Sequence, residues 1–498
     1  MAQRIKLNKE PRLDAKYDAF PFQTEAVDFA SLLEYSAIFY EQGLGKTKIA
    51  IDLIRGWLKH KIVDTVIVVT KKGLIENWRQ EFEGHSYLKP QILTNNKSSN
   101  YSVLNSASRV LLCNFEVFLC EPRIKKYLQL RDVAIIVDES AKLKNPDASL
   151  TKKYFDLAPL FKKRIIMTGT PVPNRPEDIW AQIYFLDQGK SLGGDFNSFK
   201  QGVKLSNSLS DNSVEQSIFE KELRAIFPKI KDFCVRETKQ GSGLSLPNKE
   251  YLNIVCDWER RQFELYQKIR EEERYAIVRD SKFNVENAEA MLKRFLRLLQ
   301  VASNPLLIDE RYDQMPGKFH QLKELLSLIR SKREKCIVWT SFVKNAEWLR
   351  RALNEYRAVM IHGGVSIEDR NRAIERFKND DSVGVLVAVP AAAKEGLTLT
   401  VANHVVFWDR SFSLDDYLQA QDRIHRISQT RTCYVYNLLM EDSIDDWVNM
   451  LLGAKEQAAK LIQEDITIDG FREDIDYSFG EVMKHVLGIG DEEDDQHS

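Results

Sequence analysis

One pattern limits what this chain can become. Short apolar runs of strand length recur in two series, each alternating with amphipathic stretches. The first series is "YSAIFY" (35–40), "DTVIVVT" (64–70), "RVLLCNF" (109–115), "VAIIVDE" (133–139) and "RIIMTGT" (164–170). The second is "KCIVWTS" (335–341), "RAVMIHG" (357–363), "VGVLVAV" (383–389), "HVVFWDR" (404–410) and "TCYVYNLL" (432–439). The runs are rich in Val and Ile and apolar on both alternating positions, as strands buried on two faces require. Stretches such as "KNAEWLRRAL" between them are amphipathic. A βαβα order met twice predicts two α/β lobes, each a parallel sheet flanked by helices.

Length and composition agree with that plan. A chain of 498 residues, 43% hydrophobic and 29% charged, can bury more than one core. Lys+Arg is 72 and Asp+Glu 73, a net charge of −1, so bulk charge gives no argument for nucleic acid and any such surface must be local. The six cysteines, at 113, 120, 234, 256, 336 and 433, form no CxxC pair and no metal spacing, and read as buried free thiols in a reducing compartment. "MAQRIKLNKEPRLD" lacks the apolar stretch of a signal peptide, and no run reaches the ~18 apolar residues of a membrane span. The expectation is a cytoplasmic protein, or a nuclear one in a eukaryotic host, with no membrane partner.

Between the two series the pattern changes. "SLGGDFNSFKQGVKLSNSLSDNSVEQ" (191–216) is polar and rich in Gly, Ser and Asn, a loop or a partly ordered insertion. From Trp258 to Val301 the chain has no Pro and no Gly and reads helical. Its basic residues, from Arg260 to Arg297 and including Lys282, are interspersed with acids. They form either a solvated face or a nucleic-acid surface. The acidic end, "GIGDEEDDQHS", is expected to be disordered.

Three stretches carry chemistry. In "YEQGLGKTKIA" (40–50), Gly43 and Gly45 leave backbone N–H groups free to face phosphate oxygens, and the helix that follows turns its positive end to the same anion. Lys46 can reach the β- and γ-phosphates and Thr47 can hold Mg²⁺. The strict pattern wants glycine six residues before the lysine, where this chain has Tyr40. The competing reading is a plain Gly-rich turn. The second stretch, "VAIIVDES", ends a buried strand with Asp138 and Glu139 at the edge where such sheets bind ligands. Asp138 fits a Mg²⁺ partner and Glu139 a base that activates water, unless Asp138 only caps the next helix. The third, "QAQDRIHRISQ" (419–429), places Arg423 and Arg426 three apart, a spacing that predicts a shared helix face with Gln419 turned to a phosphate chain. A surface helix laced by salt bridges is the alternative.

With these in place the chain resembles the Swi/Snf-type ATPases of helicase superfamily two, over nearly all of residues 15 to 460. "FPFQTEAVDFA" looks like the family's glutamine motif, "VIVVTKKGLIENWRQEF" like motif Ia and "LLCNFEVF" like motif Ib. "DESAKLKN" looks like motif II with its Leu-Lys-Asn extension, and "MTGTPVPNRPEDIWAQIYFLD" like motif III. "FCVRETKQGSGLSLPNKE" and "LLQVASNPLL" resemble inter-lobe signatures, "EGLTLTVANHVVFWDR" motif V and "QAQDRIHRISQTRTCYVYNLL" motif VI. The resemblance implies two tandem RecA-like lobes with helical insertions between them, ATP and Mg²⁺ as cofactors, and double-stranded or branched DNA as partner. It implies that Gln23 reads adenine and that Gly43, Leu44, Gly45, Lys46, Thr47 and Gln419 serve the nucleotide. Lys46, Asp138, Glu139, Arg423 and Arg426 form the implied catalytic set, with Thr47 and Asp138 at the metal. By position, Thr168, Thr170, Thr398 and Thr400 would touch the DNA backbone or couple it to the ATP site; ordinary turn chemistry is the alternative.

The expected organisation is an ATP-binding lobe over 1–240 with an insertion near 191–235, a linker and helical protrusion over 241–304, a second lobe over 305–465, and an extension over 466–498. No targeting module is recognisable, so the chain resembles the minimal phage or prokaryotic forms and is expected to be a monomeric DNA translocase. A strand-separating helicase and a catalytically weak DNA-binding scaffold are the alternatives. Departures from the family pattern are Ala141 for a motif II histidine, Thr70 and Asn304 for a usual proline and histidine, Pro173 for a glutamine and Ser428 for a glycine. His362 and His425 read as structural histidines, Trp339 and Trp408 as core, and Trp78 as packing between helix and sheet.

Overall fold

The computed structural model describes residues 11–204, 213–244, 246–279, 288–390, 397–474 and residue 486. They divide into two units. The first gathers the described residues within Met1–Lys204, Ile218–Leu244 and Ala459–Thr467; the second gathers those within Leu205–Ser217, Ser245–Ala458 and Ile468–Ser498.

Among the described residues the first unit holds a seven-stranded sheet. Its strands are β1 (Tyr35–Tyr40), β2 (Thr65–Thr70), β3 (Gln91–Leu93), β4 (Val110–Asn114), β5 (Val133–Asp138), β6 (Lys163–Met167) and β7 (Cys234–Glu237). The order is β3-β4-β2-β5-β6-β1-β7 and every pair is parallel. β2, β4 and β5 are buried along their whole length, which is why their sequences are apolar on both alternating positions. Ile38, Ile136 and Met167 meet Ile49, Ile51 and Ile54 of the helix Lys46–Lys59 in one core. Register aligns the strand ends: Asp138 lies level with Met167, and Met167 with Ile38. The turns after β5, β6 and β1 therefore open side by side at one edge.

The second unit holds a six-stranded parallel sheet, again among the described residues. Its strands are β8 (Lys249–Cys256), β9 (Cys336–Trp339), β10 (Val359–Ile361), β11 (Val385–Ala388), β12 (His404–Phe407) and β13 (Cys433–Met440), in the order β10-β11-β9-β12-β13-β8. Trp339 and Trp408 are fully buried in its core, as expected. Each apolar run of both series forms a strand. Three strands lie outside them: β3 and β7 are short, and β8 is exposed over most of its length at a sheet edge, so none shows the two-sided apolar pattern.

The stretch 191–216, expected to be a loop or a partly ordered insertion, contains the helix Phe196–Gly202, capped by Asp195, whose carboxylate accepts from Asn197 and Ser198 N–H, and its end opens the helix Ser213–Arg224. The rest of that stretch over 205–212 lies outside the described residues, as do Lys282 and the acidic end. The helical expectation after Trp258 holds as Arg260–Arg279 and Ala288–Ser303. Arg297 and Arg294 pair with Glu273, Arg274 with Glu271, Arg260 with Glu264 and Arg261 with Asp313. Through the buried Glu273 these pairings tie the second of the two helices to the first. The described cysteines are all free, and all but Cys120 are buried. No helix among the described residues is long and apolar enough to cross a membrane.

Candidate functional site

The turn between β1 and the helix Lys46–Lys59 has the backbone its glycines allow. Gly43 has φ 91° and Gly45 φ 74°, both in the left-handed region. A side chain at Gly45 would meet Gln23 Nε2 at 2.4 Å, so the glutamine amide lies directly on the turn. That amide is held from both ends: Nε2 donates to Leu44 O at 3.1 Å and Oε1 accepts Phe20 N–H at 3.1 Å. Gln23 thus ties the start of the helix Pro21–Leu32 to the glycine turn. Tyr40 replaces the expected glycine without obstructing the turn. Its ring is buried and its hydroxyl donates to Phe22 O at 2.7 Å, so only its backbone faces the loop. The Tyr40 and Glu41 carbonyls accept from Lys46 Nζ at 2.8 and 3.2 Å.

Asp138 closes β5 at the same edge. Trp78 Nε1 donates to its Oδ2 at 2.8 Å and Thr70 Oγ1 to the same atom at 3.1 Å, while Glu139 N–H donates to Oδ1 at 3.0 Å. Burial, and then the charge of Glu139, pushes the carboxyl up to about 6 against the pull of Trp78, Lys46 and Thr70. Glu139 itself has φ 55°, a left-handed conformation that is strained for a non-glycine and recurs at functional sites. Its carboxylate pairs with Lys71 Nζ at 3.4 Å. Ala141 leaves motif II without its histidine, but Ser140 reaches Gln182 at 2.8 Å, and Gln182 Nε2 donates to Pro171 O at 2.7 Å. A buried glutamine thus joins the turn after β5 to the turn after β6.

Among the described residues no group of three or more His, Cys, Asp or Glu could hold a metal by itself. A hydroxyl (Thr47) and a carboxylate (Asp138) are hard oxygen donors that suit Mg²⁺ when phosphates complete its shell. Thr168 is fully buried and its hydroxyl accepts Thr170 N–H at 3.1 Å, the turn chemistry of Gly-Thr-Pro.

In the second unit the expected helix face does not form. The helix is Leu414–Gln421, and Arg423 and Arg426 lie beyond its end in turns. Past Gln421 the backbone bonds shorten from four residues to three, Arg423 N–H to Ala420 O at 3.4 Å and Ile424 N–H to Gln421 O at 3.3 Å, and the Arg423 carbonyl accepts Leu399 N–H at 2.9 Å while Gln429 Nε2 donates to the Ile424 carbonyl at 3.0 Å. The turns bring both arginines to the segment Leu397–Thr400: Arg426 Nη1 donates to Thr398 Oγ1 at 2.8 Å, and Arg423 Nη1 lies 3.5 Å from Leu397 O. Thr400 shares a hydrogen bond of 2.9 Å with Ser428, the residue that stands for a glycine. Gln419 remains on the helix, buried, with Nε2 on Asp415 Oδ1 at 2.7 Å. His362 and His425 are structural, accepting Gly364 N–H at 3.1 Å and bonding Pro247 O at 2.9 Å respectively. Asn304 bonds Asn345 at 3.0 Å; nothing in the structure explains Pro173.

Sequence reasoning missed Thr70, Lys71 and Gln182 at this site and gave Trp78 only a packing role. The signal was present for Thr70, a donor where the family pattern has proline, but its partner is 68 residues away.

Residues 23–307 match the SNF2-related domain family and residues 317–428 the helicase conserved C-terminal domain. The ISWI chromatin-remodeling complex ATPase ISW1 of Saccharomyces cerevisiae is 25% identical, over 86% of this chain and 39% of its own length. The ATP-dependent helicase fft1 of Schizosaccharomyces pombe is 25% identical, over 89% of this chain and 52% of its own. The chain therefore spans about two fifths to a half of these curated relatives. A Sulfolobus solfataricus SWI2/SNF2 ATPase core solved with dsDNA is 23% identical, covering 95% of this chain and 99% of that one, with a TM-score of 0.42. At that score the fold rests on the two sheets described above and not on the likeness.

Proposed function

The chain belongs to the SNF2-related family, and on that premise we propose that it is an ATP-driven translocase on double-stranded DNA, with repair, branch remodelling or protein displacement as its task. One observation carries the proposal. The glycine turn with Lys46 and Thr47, and the carboxylates Asp138 and Glu139, open at one sheet edge whose register is fixed through β6.

In this proposal Gly43, Leu44 and Gly45 present backbone N–H groups to the phosphates, and Lys46 leaves the Tyr40 and Glu41 carbonyls for phosphate oxygens. Gln23 holds the turn against the helix that precedes β1 and offers its amide to the base. Thr47 and Asp138 hold Mg²⁺, which when bound neutralises phosphate charge. Glu139 accepts the proton of the attacking water. Arg423 and Arg426 supply the cations that meet the transferring phosphoryl group when the lobes close. The Arg426–Thr398 and Thr400–Ser428 bonds link that arginine segment to threonines proposed to sense DNA phosphates.

The test is phosphate release with and without duplex DNA. Lys46→Ala is expected to abolish turnover; Glu139→Gln is expected to abolish it while retaining ATP binding. A flat response to duplex over a range of lengths would leave a scaffold instead of a motor. The name of the fission-yeast relative, ATP-dependent helicase, keeps strand separation as a second outcome. Triplex displacement without strand displacement supports the translocase; the reverse supports the helicase.

A further inference from the structure

One amide in the phosphate turn is used neither by the fold nor by the mechanism above. Gln42 stands four residues before Lys46. Its side chain lies on Gly169, in the turn that follows β6: a methyl group at Gly169 would come within 2.7 Å of Gln42 Cγ and 3.0 Å of Nε2. Gly169 is thus the small residue that admits the glutamine. Nε2 is closed off from solvent and has no hydrogen-bond partner among the described residues. A buried donor without an acceptor is uncommon in native structures, and a ligand is one way to complete it.

The strand order gives the amide a direction. β6 lies between β5 and β1, so a side chain that leaves the β1 turn and rests on the β6 turn leans toward β5. The end of β5 carries Asp138 and Glu139. On the proposed function, which this inference rests on, that is the side where the last phosphate of the nucleotide and the attacking water belong.

We infer that Gln42 Nε2 donates a hydrogen bond to an oxygen of the terminal phosphate of a bound nucleoside triphosphate. Gln42 is then a specificity-determining residue: it recognises the group that distinguishes the triphosphate from the diphosphate. Its contact is lost when that phosphate leaves, and its resting place on Gly169 makes the turn after β6 the first neighbour to register the change.

Binding by the full chain tests this without turnover. Affinities for ADP and for a non-hydrolysable ATP analogue, both with Mg²⁺, are measured by calorimetry for the unaltered chain, Gln42→Met and Gln42→Glu. Met keeps the length that rests on Gly169 and removes the donor. The expected result is a loss of about tenfold or more for the triphosphate with Met, a larger loss with Glu, and ADP affinity within about twofold throughout. Gly169→Ala, which displaces the glutamine from outside the loop, is expected to give the same selective loss and serves if a Gln42 variant fails to fold. Equal loss for both nucleotides, or no loss for either, would overturn the inference alone. An unaltered chain that binds neither nucleotide would overturn the ATP-site proposal and this inference with it.

Discussion

Asp138 is where distant parts of the sequence meet at a single side chain. Trp78 and Thr70 both donate to one of its oxygens, from 60 and 68 residues away. Thr70→Val removes one donor and keeps the shape. If Asp138 holds Mg²⁺ as proposed, its hydrogen-bond partners orient it, and the variant is expected to raise the Mg²⁺ concentration that half-saturates ATP binding by about tenfold. A Mg²⁺ titration of ATP binding checks this, with thermal unfolding as the control for folding. Glu177 offers a second prediction. It is buried with Oε2 unpartnered among the described residues, and burial raises its pKa. A carboxyl raised in the folded state favours folding below its unfolded pKa and loses that contribution as pH rises through the folded value. Glu177→Gln is therefore expected to raise the unfolding temperature at pH 7, with the gain shrinking as pH falls toward the ordinary glutamate range. Calorimetry at several pH values checks it; a constant gain would show that charge is not the cause. At this scale the sequence disclosed Gly43, Gly45, Lys46 and Asp138, because their chemistry is local to one turn or one strand end. It did not disclose Thr70, Gln182 or the orientation of Tyr40, because each depends on a partner brought near by folding.

At the scale of elements, strands buried on both faces were legible and edge strands were not. β2, β4 and β5 announce themselves through unbroken apolar runs, whereas β8 carries exposed Tyr251, Leu252 and Val255 with polar neighbours. The helix expected through Arg426 ends at Gln421, where the following N–H groups bond three residues back instead of four; Leu399 N–H then takes the Arg423 carbonyl, a partner no periodicity contains. The second sheet has a polar joint of the same kind. Asp409, after β12, accepts from Ser303 Oγ at 2.7 Å, Thr340 Oγ1 at 2.6 Å and Ser341 N–H at 2.6 Å. It fastens the end of the helix Ala288–Ser303 to the turn after β9. Asp409→Ala strands two buried donors, Ser303 and Thr340, each costing about 1–3 kcal/mol, and a partly buried one, Ser341 N–H. The expected outcome is loss of several kcal/mol from the second unit, read by denaturant unfolding, with ATP binding by the first unit retained. Unchanged unfolding would mean that water replaces the carboxylate.

At the scale of the whole molecule, the residues assigned to phosphate chemistry are divided between the units: the glycine turn and the carboxylates in one, Arg423 and Arg426 in the other. If both halves act on one nucleotide, Arg426→Ala should retain ATP binding and lose about 10³–10⁵ in DNA-stimulated rate, as removal of such cations does elsewhere. Normal turnover in that variant would remove the arginine from the mechanism. The composition of the first unit also bears on how the chain is made. That unit takes its seventh strand from Cys234–Glu237 and a further segment from Ala459–Thr467, where Asp465 binds Arg236 at 2.7 Å. A ribosome reading from the amino end has translated the bulk of the message before that last piece emerges. The half that carries the glycine turn can thus begin to fold early, but it acquires Asp465 only after the strands of its companion have already been synthesised.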